Sequence, residues 1–232
     1  MQRDFEPIHL RPTNPLAERV LLPGDPGRAL ALAQTLLAEP LMFNHHRGLW
    51  GYTGRAPDGE PLTIQSTGMG GPSAAIVLEE LIALGVRRAI RVGTCGALDA
   101  SLELGDLVVA RESIAADGTS RALGASERVT ADAGLTQALE ETTGRTARTI
   151  VSTDLFYDPD DERGTRWSEA GAAAVEMEAA TLFAVGARAG VPVACVLAVS
   201  DVFGAAGRTH IDEDALLTAA EAMGAAAVTA IQ

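Results

Sequence analysis

The sequence predicts an α/β fold, with a single domain whose mixed, mostly parallel central sheet is flanked by helices. Short apolar runs alternate with longer amphipathic segments along the chain, which is the pattern of strand–helix–strand units. The near-continuous apolar run 193–199 is typical of a strand that is buried on both faces. With 232 residues, no internal repeat and no long linker, the chain is predicted to form one domain over 1–232.

Six strands and four helices are predicted, each bounded by turn residues. The strands are short apolar runs, and in chain order they cover 19–22, 62–66, 88–92, 107–110, 172–177 and 193–199. The helices mostly follow Gly- or Pro-containing turns and cover 28–38, 73–84, 178–189 and 215–231. The third strand is expected to end in a turn at 93–96, and the polar segments 117–128 and 158–162 are expected to be solvated loops.

The charge and residue composition exclude several classes of function. The chain carries a net charge of −13, which would repel a nucleic-acid backbone or an anionic membrane surface. All 18 basic residues are arginine, so neither a lysine Schiff base nor a P-loop lysine is available. Cys95 and Cys195 predict reduced thiols and hence a cytoplasmic protein, and residues 1–11 lack the apolar core of a secretory signal. We therefore expect neither nucleic acid nor a membrane as a partner.

Polar and glycine residues follow the predicted strands at the points where the strands end. In open α/β sheets, ligands bind beyond the carboxyl ends of the strands, where loops and helix N-termini converge. We therefore expect a binding site at this edge of the sheet. Its candidate residues are Gly24, Asp25, Arg28, Gly68, Met69, Gly70, Arg91, Thr94, Glu176, Glu178 and Asp201.

Arginines beside short glycine turns predict that this site holds a small anion. Arg28 falls in the first turn of a predicted helix, where the helix dipole disfavours a cation unless an anion is bound. Glycine turns with free N–H groups and the hydroxyl of Thr94 suit phosphate, and the arginines that would bind it are Arg28, Arg47 and Arg91. A dinucleotide fingerprint is incomplete, so a nicotinamide cofactor is disfavoured. Asp25 has the alternative role of capping the helix.

Three carboxylates near the ends of later strands predict sugar binding and acid catalysis. Glu176 and Glu178 can accept hydrogen bonds from a vicinal diol such as that of ribose, or one of them can cap the helix that follows. Asp201 closes the buried run 193–199, where desolvation is expected to raise its pKa and equip it as a general acid. The adjacent histidines at 45–46 lack a third ligand nearby and are expected on the surface, so no metal site is predicted.

These motifs, taken in order, resemble those of the nucleoside phosphorylase-I family over nearly the whole chain. The matching segments are 23–28 (PGDPGR), 46–48 (HRG), 67–70 (TGMG), 91–97 (RVGTCGA), 154–157 (DLFY), 175–179 (VEMEA) and 200–201 (SD). Within the family, the chain most resembles the bacterial hexameric purine nucleoside phosphorylases. The resemblance implies an enzyme, a pentosyltransferase that converts a purine nucleoside and inorganic phosphate into the free base and ribose 1-phosphate, with no cofactor.

The resemblance also assigns binding roles to residues of this sequence. The phosphate ligands that it implies are Gly24, Arg28, Arg91, Thr94 and, from a neighbouring subunit, Arg47. The nucleoside ligands that it implies are His9, Met69, Phe156, Glu176, Met177 and Glu178. Among these, Glu178 would accept the 2′- and 3′-hydroxyls of the ribose, and His9 would come from the neighbouring subunit to the 5′-hydroxyl. Phe156 would pack on the base, with Glu176 beside it.

Two further residues are implied to be catalytic, together with an assembly. Asp201 would protonate N7 of the departing purine. In the family, a helper arginine lies further past the Ser-Asp pair than Arg208 does here. Arg208 is the only arginine after Asp201, so it would have to replace the helper arginine through a different loop path. The implied assembly is a homohexamer built as a trimer of dimers.

Three other functions remain open at this point. Uridine phosphorylase is the rival within the family, because 66–73 resembles its corresponding turn, although an acid at Asp201 favours a purine. A nucleosidase would use water in place of phosphate and would not need Arg28, Arg47 and Arg91. A non-catalytic nucleoside-binding protein on the same fold would not need a desolvated acid. The sequence does not distinguish adenosine from inosine or guanosine, or ribose from deoxyribose.

Overall fold

Strands and helices alternate along the chain in the computed structural model, which describes residues 6–204 and 207–232. The strands in these ranges are β1 (Arg19–Leu22), β2 (Ala38–Asn44), β3 (Gly51–Arg55), β4 (Pro61–Gln65), β5 (Arg88–Ala97), β6 (Leu107–Ala116), β7 (Arg128–Thr130), β8 (Arg148–Thr153), β9 (Ala174–Glu176), β10 (Val193–Gly204) and β11 (Gly207–His210). The α-helices are α1 (Pro26–Leu36), α2 (Gly71–Leu84), α3 (Gly118–Ala122), α4 (Ala133–Thr143), α5 (Arg163–Glu169), α6 (Ala179–Ala189) and α7 (Glu213–Ala230).

Short-range capping signals set the ends of several helices. Aspartates precede α1, α3, α4 and α7, and each carboxylate accepts a hydrogen bond from the backbone N–H three residues later. These capping residues are Asp25, Asp117, Asp132 and Asp212. At the other end, α2, α4 and α6 each stop at a glycine whose backbone is left-handed, a conformation that costs glycine little. The cap at Asp25 confirms the alternative role predicted for that residue.

The sheet is mixed, and one part of it closes into a ring. Its strand order is β11-β10-β6-β8-β9-β5-β1-β4-β3-β2, with β7 on β6, and β10 also pairs with β5. Strands β5, β10, β6, β8 and β9 therefore form a closed circuit, while β1 to β4 extend it as an open sheet. The mixed α/β sheet is confirmed, but the parallel share is smaller than predicted, because β2, β3, β7, β9 and β11 add antiparallel pairings.

Helices cover both faces of the sheet, which explains the continuous apolar runs in its strands. On β1, Val20 packs in the core beneath α2 and α6, whereas its neighbour Leu21 packs in the core beneath α1 and α7. Successive strand residues point to opposite faces, so both must be apolar when both faces are buried. On β10, Cys195 packs in the same core as Val20, and its neighbour Ala194 packs in the same core as Leu21.

The predicted elements exist, but three strands, β5, β6 and β10, run further than the sequence indicated. The strand at 88–92 continues to Ala97, because the segment expected to turn at 93–96 pairs with β10 instead. The segment 117–128 contains helix α3, whose cap Asp117 is buried, so it is not simply a solvated loop. Five strands and three α-helices were missed, namely β2, β3, β7, β8, β11, α3, α4 and α5. No helix in the described ranges is long and apolar enough to cross a membrane.

Candidate active site

A cleft of about 1520 Å³ lies where the predicted residues converge, at the ends of the central strands. All the predicted ligands and catalytic residues except His9 line it, namely Gly24, Arg28, Arg47, Met69, Arg91, Thr94, Phe156, Glu176, Met177, Glu178, Asp201 and Arg208. The segment 158–162, predicted to be solvated, contributes Asp158, Asp160 and Asp161 to the wall of this cleft. The sheet edge therefore gathers nearly all of the residues that the sequence singled out.

Arg91 on β5 is the buried centre of one end of the cleft. Its Nε donates to Glu176 Oε2 at 2.9 Å, and its Nη2 lies 2.5 Å from Glu178 Oε2. Its Nη1 is buried without a hydrogen-bond partner among the described residues. Burial alone would lower the pKa of Arg91, but the charges of Glu178 and Glu176 outweigh burial and raise it. A Cβ on Gly93 would lie 2.7 Å from Nη2, so the guanidinium fits only because residue 93 is glycine.

The carboxylate of Glu176 is hydrogen-bonded to several donors of the protein itself. Its carboxylate accepts hydrogen bonds from the backbone N–H groups of Glu178 and Ala179, from Arg91 and from the hydroxyl of Ser152. The side chain has no exposed surface. The capping alternative is therefore the one observed: Glu176 positions Arg91 and the start of α6, and its contact with the nucleoside stays a prediction.

Glu178 is held between a backbone turn and Arg91. Its Oε1 accepts from Gly70 N at 2.5 Å, where Gly70 adopts a φ of +85° that favours glycine. Burial raises the pKa of Glu178, the nearby charge of Glu176 raises it further, and Arg91 opposes both. Met177 lies beside Glu178 in the cleft wall, and Met69, in the glycine turn, is 87% exposed. This arrangement supplies an acceptor and apolar surface for a sugar.

Arg28 is a half-buried cation for which the described residues provide no hydrogen-bonding partner to its guanidinium. The carboxylate of Asp25 is engaged by the Arg28 backbone N–H at 2.6 Å rather than by its side chain. Burial lowers the pKa of Arg28, and the neighbouring charge of Arg91 lowers it further, against the pull of Asp25 and Glu178. Two guanidinium groups near one another at a helix start, one of them uncompensated, favour a bound anion.

Backbone turns and one strand residue complete the anion end. Gly68 N donates to Gly24 O at 3.0 Å, so the turns after β1 and β4 run side by side. A Cβ on Gly24 would meet Gly68 O at 3.3 Å, which restricts this close approach to small residues. Thr94, halfway along the extended part of β5, lines the cleft as predicted.

Arg47 and His9 differ in where the single chain places them. Arg47 has a left-handed φ of +59°, a strained conformation for a side-chain-bearing residue, and it lines the rim of its own chain's cleft. The resemblance assigned Arg47 to the neighbouring subunit's site, and that assignment stays a prediction. His9 lies outside the cleft, where its Nδ1 is 2.7 Å from Oε1 of the buried Glu80.

Asp201 on β10 is the ladder partner of Gly96 on β5, whereas Arg91 of the anion site is the partner of Cys195, so the two groups are separated along the strands. A register shift between Val199 and Asp201 in the pairing with β5 precedes Asp201. Its Oδ1 accepts from Arg208 Nε at 2.7 Å and from His210 Nδ1 at 2.8 Å. Its Oδ2 accepts from the Ser200 hydroxyl at 2.7 Å. Burial would raise the pKa of Asp201, but these three hydrogen bonds outweigh burial and lower it, contrary to the sequence prediction.

A family model described as the phosphorylase superfamily matches residues 18–232. The chain belongs to this superfamily. It is 38% identical over 205 residues to a purine nucleoside phosphorylase of the DeoD type from Clostridium beijerinckii, covering 84% of this chain and 86% of that protein. A protein of the same description from Caldanaerobacter subterraneus subsp. tengcongensis is 38% identical over 80% of this chain and 83% of its own.

The fold of this superfamily member also matches a solved structure. The crystal structure of uridine phosphorylase from Vibrio fischeri ES114 superposes with a TM-score of 0.82 and 25% identity, over 93% of this chain and 92% of that one. The resemblance drawn from the motifs is thus confirmed at the level of the family, and the chain is an enzyme of the phosphorylase superfamily.

Phe156 and Arg208 meet at the mouth of the cleft. The guanidinium carbon of Arg208 lies 4.5 Å from the centroid of the Phe156 ring, a cation–π contact. Phe156 is 54% exposed, and its ring meets that of Tyr157 edge to face. Arg208 thus bridges the residue expected to stack on a base and the residue expected to protonate it.

His210 is the site residue that sequence reasoning missed. It lies on β11 with one residue between it and Arg208, so both side chains leave the same face of the strand and reach Asp201. Residues 207–210 are all exposed and show no apolar alternation that would mark a strand, so β11 was not predicted. The described structure therefore adds a titratable partner to Asp201.

Proposed function

We propose that the chain catalyses phosphorolysis of purine ribonucleosides and deoxyribonucleosides to the free purine and the corresponding pentose 1-phosphate. The observation that carries this proposal is the pair of guanidinium groups of Arg28 and Arg91, which lies beside Glu178 in the cleft that also holds Asp201. The two arginines complement an anion, Glu178 complements the vicinal diol of a ribose, and Asp201 complements a leaving base. The relatives described as purine nucleoside phosphorylases support the purine assignment.

Phosphate is the anion that the first end of the cleft would bind. Arg28 and the Nη1 of Arg91 supply donors that no described carboxylate occupies. The Gly24 turn at the start of α1 and the hydroxyl of Thr94 would add neutral donors, and Arg47 would close the rim. Charge-assisted bonds from such a set are stronger than neutral ones, which would offset the repulsion of an anion by a chain of charge −13.

The ribose would lie against Glu178, Met69 and Met177. In the unliganded chain, Glu178 is paired with Arg91 and Gly70, so a diol would bind at an acceptor that is already held in position. His9 would contact the 5′-hydroxyl from a neighbouring subunit. Its location outside its own cleft supports that role.

The reaction itself would be driven by electrostatic stabilisation at both ends of the breaking bond. As the glycosidic bond lengthens, the ribose gains positive charge, which bound phosphate stabilises. The purine gains negative charge, which a proton delivered to N7 by Asp201 neutralises. General acid catalysis of this kind is worth on the order of 10²–10⁴-fold. Phe156 would hold the base, and Arg208 would have to withdraw from Asp201 and from the ring before the base stacks there.

The proposed assembly is a cytoplasmic homohexamer. Its support is that His9 does not line its own cleft and is paired with Glu80, so a site that includes His9 needs a second chain. The two cysteines, both buried and unbridged, fit the proposed compartment. Light scattering would check the oligomer, and an active monomer would contradict it.

Uridine phosphorolysis is the second candidate, and the likeness of fold to uridine phosphorylase favours it. Two features of the cleft favour a purine instead. Asp201 has a clear partner in N7, which uracil lacks. The arginines of the segment between Tyr157 and Glu176 are engaged by neighbouring acids, Arg163 with Asp158 at 2.8 Å and Arg166 with Asp160.

Release of free base from inosine, adenosine and uridine, each with and without inorganic phosphate, tests the proposal. We expect phosphate-dependent release from the purine nucleosides. Phosphate-dependent release from uridine alone would establish the second candidate, and release without phosphate would indicate a nucleosidase. No release from any of them would contradict an enzymatic role for the cleft.

A further inference from the structure

Asp201 meets three donors, and they differ in whether they can release a proton. Ser200 reaches Oδ2, while Arg208 and His210 both reach Oδ1. A guanidinium stays protonated throughout the accessible pH range, and a serine hydroxyl is not an acid near neutrality. An imidazole titrates in that range. Of these three donors, only His210 can pass a proton to the carboxylate.

The pairing of β10 with β11 places His210 between Asp201 and solvent. Asp201 and His210 are direct partners in this antiparallel ladder, so the strand register fixes their contact. The Asp201 side chain is 7% exposed, whereas that of His210 is 63% exposed. A proton taken up from water by the imidazole can therefore reach a carboxylate that itself has little access to water.

Binding of a base would leave His210 as the remaining partner of Oδ1. Arg208 covers a face of Phe156 at 4.5 Å while it donates to Asp201. A purine that stacks on that face displaces Arg208 from it. Nδ1 of His210 contacts the carboxylate from a different strand position, two residues from Arg208, so its bond to Oδ1 can survive the exchange.

We propose that His210 is a positioning residue that relays a proton from solvent to Asp201 for the departing purine. The inference rests on the proposed phosphorolysis. The Nδ1–H bond of the imidazolium breaks as its proton moves to Oδ1 of Asp201. When the glycosidic bond breaks, its electron pair moves into the purine, and the proton of Asp201 moves to N7. The neutral imidazole then takes a proton from water, so one proton passes from solvent to the base.

Several charged groups surround this relay. Asp201 faces His210 from β10, and Arg208 precedes it on its own strand. Asp212, Glu213 and Asp214 follow at the start of α7, and the carboxylate of Asp212 is engaged as the cap of that helix. Because these groups are the same in wild type and in a variant of residue 210, a ratio of the two proteins isolates the imidazole.

His210→Asn tests the relay, because the amide keeps a donor near the Nδ1 position but does not titrate. The measurement is kcat/KM for inosine and for 7-methylinosine, whose leaving base needs no proton, from about pH 5.5 to 9 around the ordinary histidine pKa. The wild-type-to-variant ratio at each pH cancels the ionisation of phosphate and of each substrate. For inosine we expect a ratio of about 10 to 100 at acid pH that falls towards unity at alkaline pH. For 7-methylinosine we expect a ratio within about twofold throughout.

Thr209→Ala is the matched control, since residue 209 lies on the same strand but its side chain alternates to the opposite face. It should leave both substrates unaffected. Equal losses on the two substrates in His210→Asn would show a merely structural role and overturn the relay, as would a pH-independent ratio for inosine. Failure of the proposed function would look different, because wild type itself would then release no base from either substrate in a phosphate-dependent manner, and the relay would fall with it.

Discussion

The two ends of the cleft are constructed differently. At the anion end, Arg91, Glu176 and Glu178 come from β5, β9 and the start of α6, and their side chains are 4%, 0% and 6% exposed. At the acid end, Arg208 and His210 come from one short edge strand and are 38% and 63% exposed, whereas Asp201 and its neighbour Ser200 on β10 are buried. One end is a buried network joined across the ring of strands, and the other is a surface hairpin folded over one carboxylate.

This difference separates what is shared from what varies in the proposed chemistry. Phosphate and ribose are common to purine and uridine phosphorolysis, and they would meet a polar network in which each member fixes the next. The base differs between those reactions, and it would meet exposed groups with few buried contacts, which can move at lower cost. The buried network of Arg91, Glu176 and Glu178 should therefore be sensitive to mutation in stability and activity together, and the acid end more in activity than in stability.

Removal of Arg91 should give the largest effect. Arg91→Met leaves Glu176 and Glu178 buried without their cation, and breaking a buried pair in this way costs about 3–5 kcal/mol. We expect a loss of that size in the free energy of unfolding, measured with denaturant, and no measurable phosphorolysis. Arg88→Met, at the exposed start of the same strand, is the control and should change stability by less than about 1 kcal/mol. Similar losses in the two variants would show that the network does not carry the anion end.

Asp201→Asn should separate activity from stability at the other end. We expect about 10²–10⁴-fold lower kcat/KM on inosine, because the amide cannot protonate N7. The loss should be much smaller on 7-methylinosine. Equal losses on both substrates would rule out the acid role and would place Asp201 with the binding residues.

Arg28→Ala should weaken phosphate binding without weakening the fold. A hydrogen bond to a charged group is worth about 1.5–3 kcal/mol, so KM for phosphate should rise roughly 10- to 100-fold. Since the guanidinium of Arg28 has no described hydrogen-bond partner and lies near Arg91, stability should change by less than about 0.5 kcal/mol. Turnover that does not depend on phosphate, and is unchanged in this variant, would favour a nucleosidase.

The same contrast explains what could be read from the sequence. Arg28, Arg91, Glu178 and the glycine turns stand at or just beyond the ends of predicted strands, so the rule that ligands bind at the carboxyl ends of strands located them. His210 stands on an edge strand of four exposed residues, whose pattern carries no apolar alternation. The predicted direction of the Asp201 pKa shift was wrong. Burial can be inferred from a sequence, whereas the donors that strand pairing brings to the carboxylate cannot.

The smallest expected effect is on the pH dependence of stability, which compares the two ends directly. The contributions of Asp201 and Glu178 to the free energy of unfolding should change with pH in opposite directions. Asp201 has a lowered pKa in the fold, so its contribution to stability is present above its ordinary value of 3.8 and is lost as the pH falls through the lowered value. Glu178 has a raised pKa, so its contribution is present below its ordinary value of 4.5 and is lost as the pH rises through the raised value. The test is the free energy of unfolding of wild type and of each variant, measured from about pH 3 to 7. The value for wild type minus that for Asp201→Asn should rise with pH. The value for wild type minus that for Glu178→Gln should fall with pH. Slopes of the same sign would mean that the two carboxylates share one electrostatic environment, and the division of the cleft into a buried network and a surface hairpin would then have no energetic meaning.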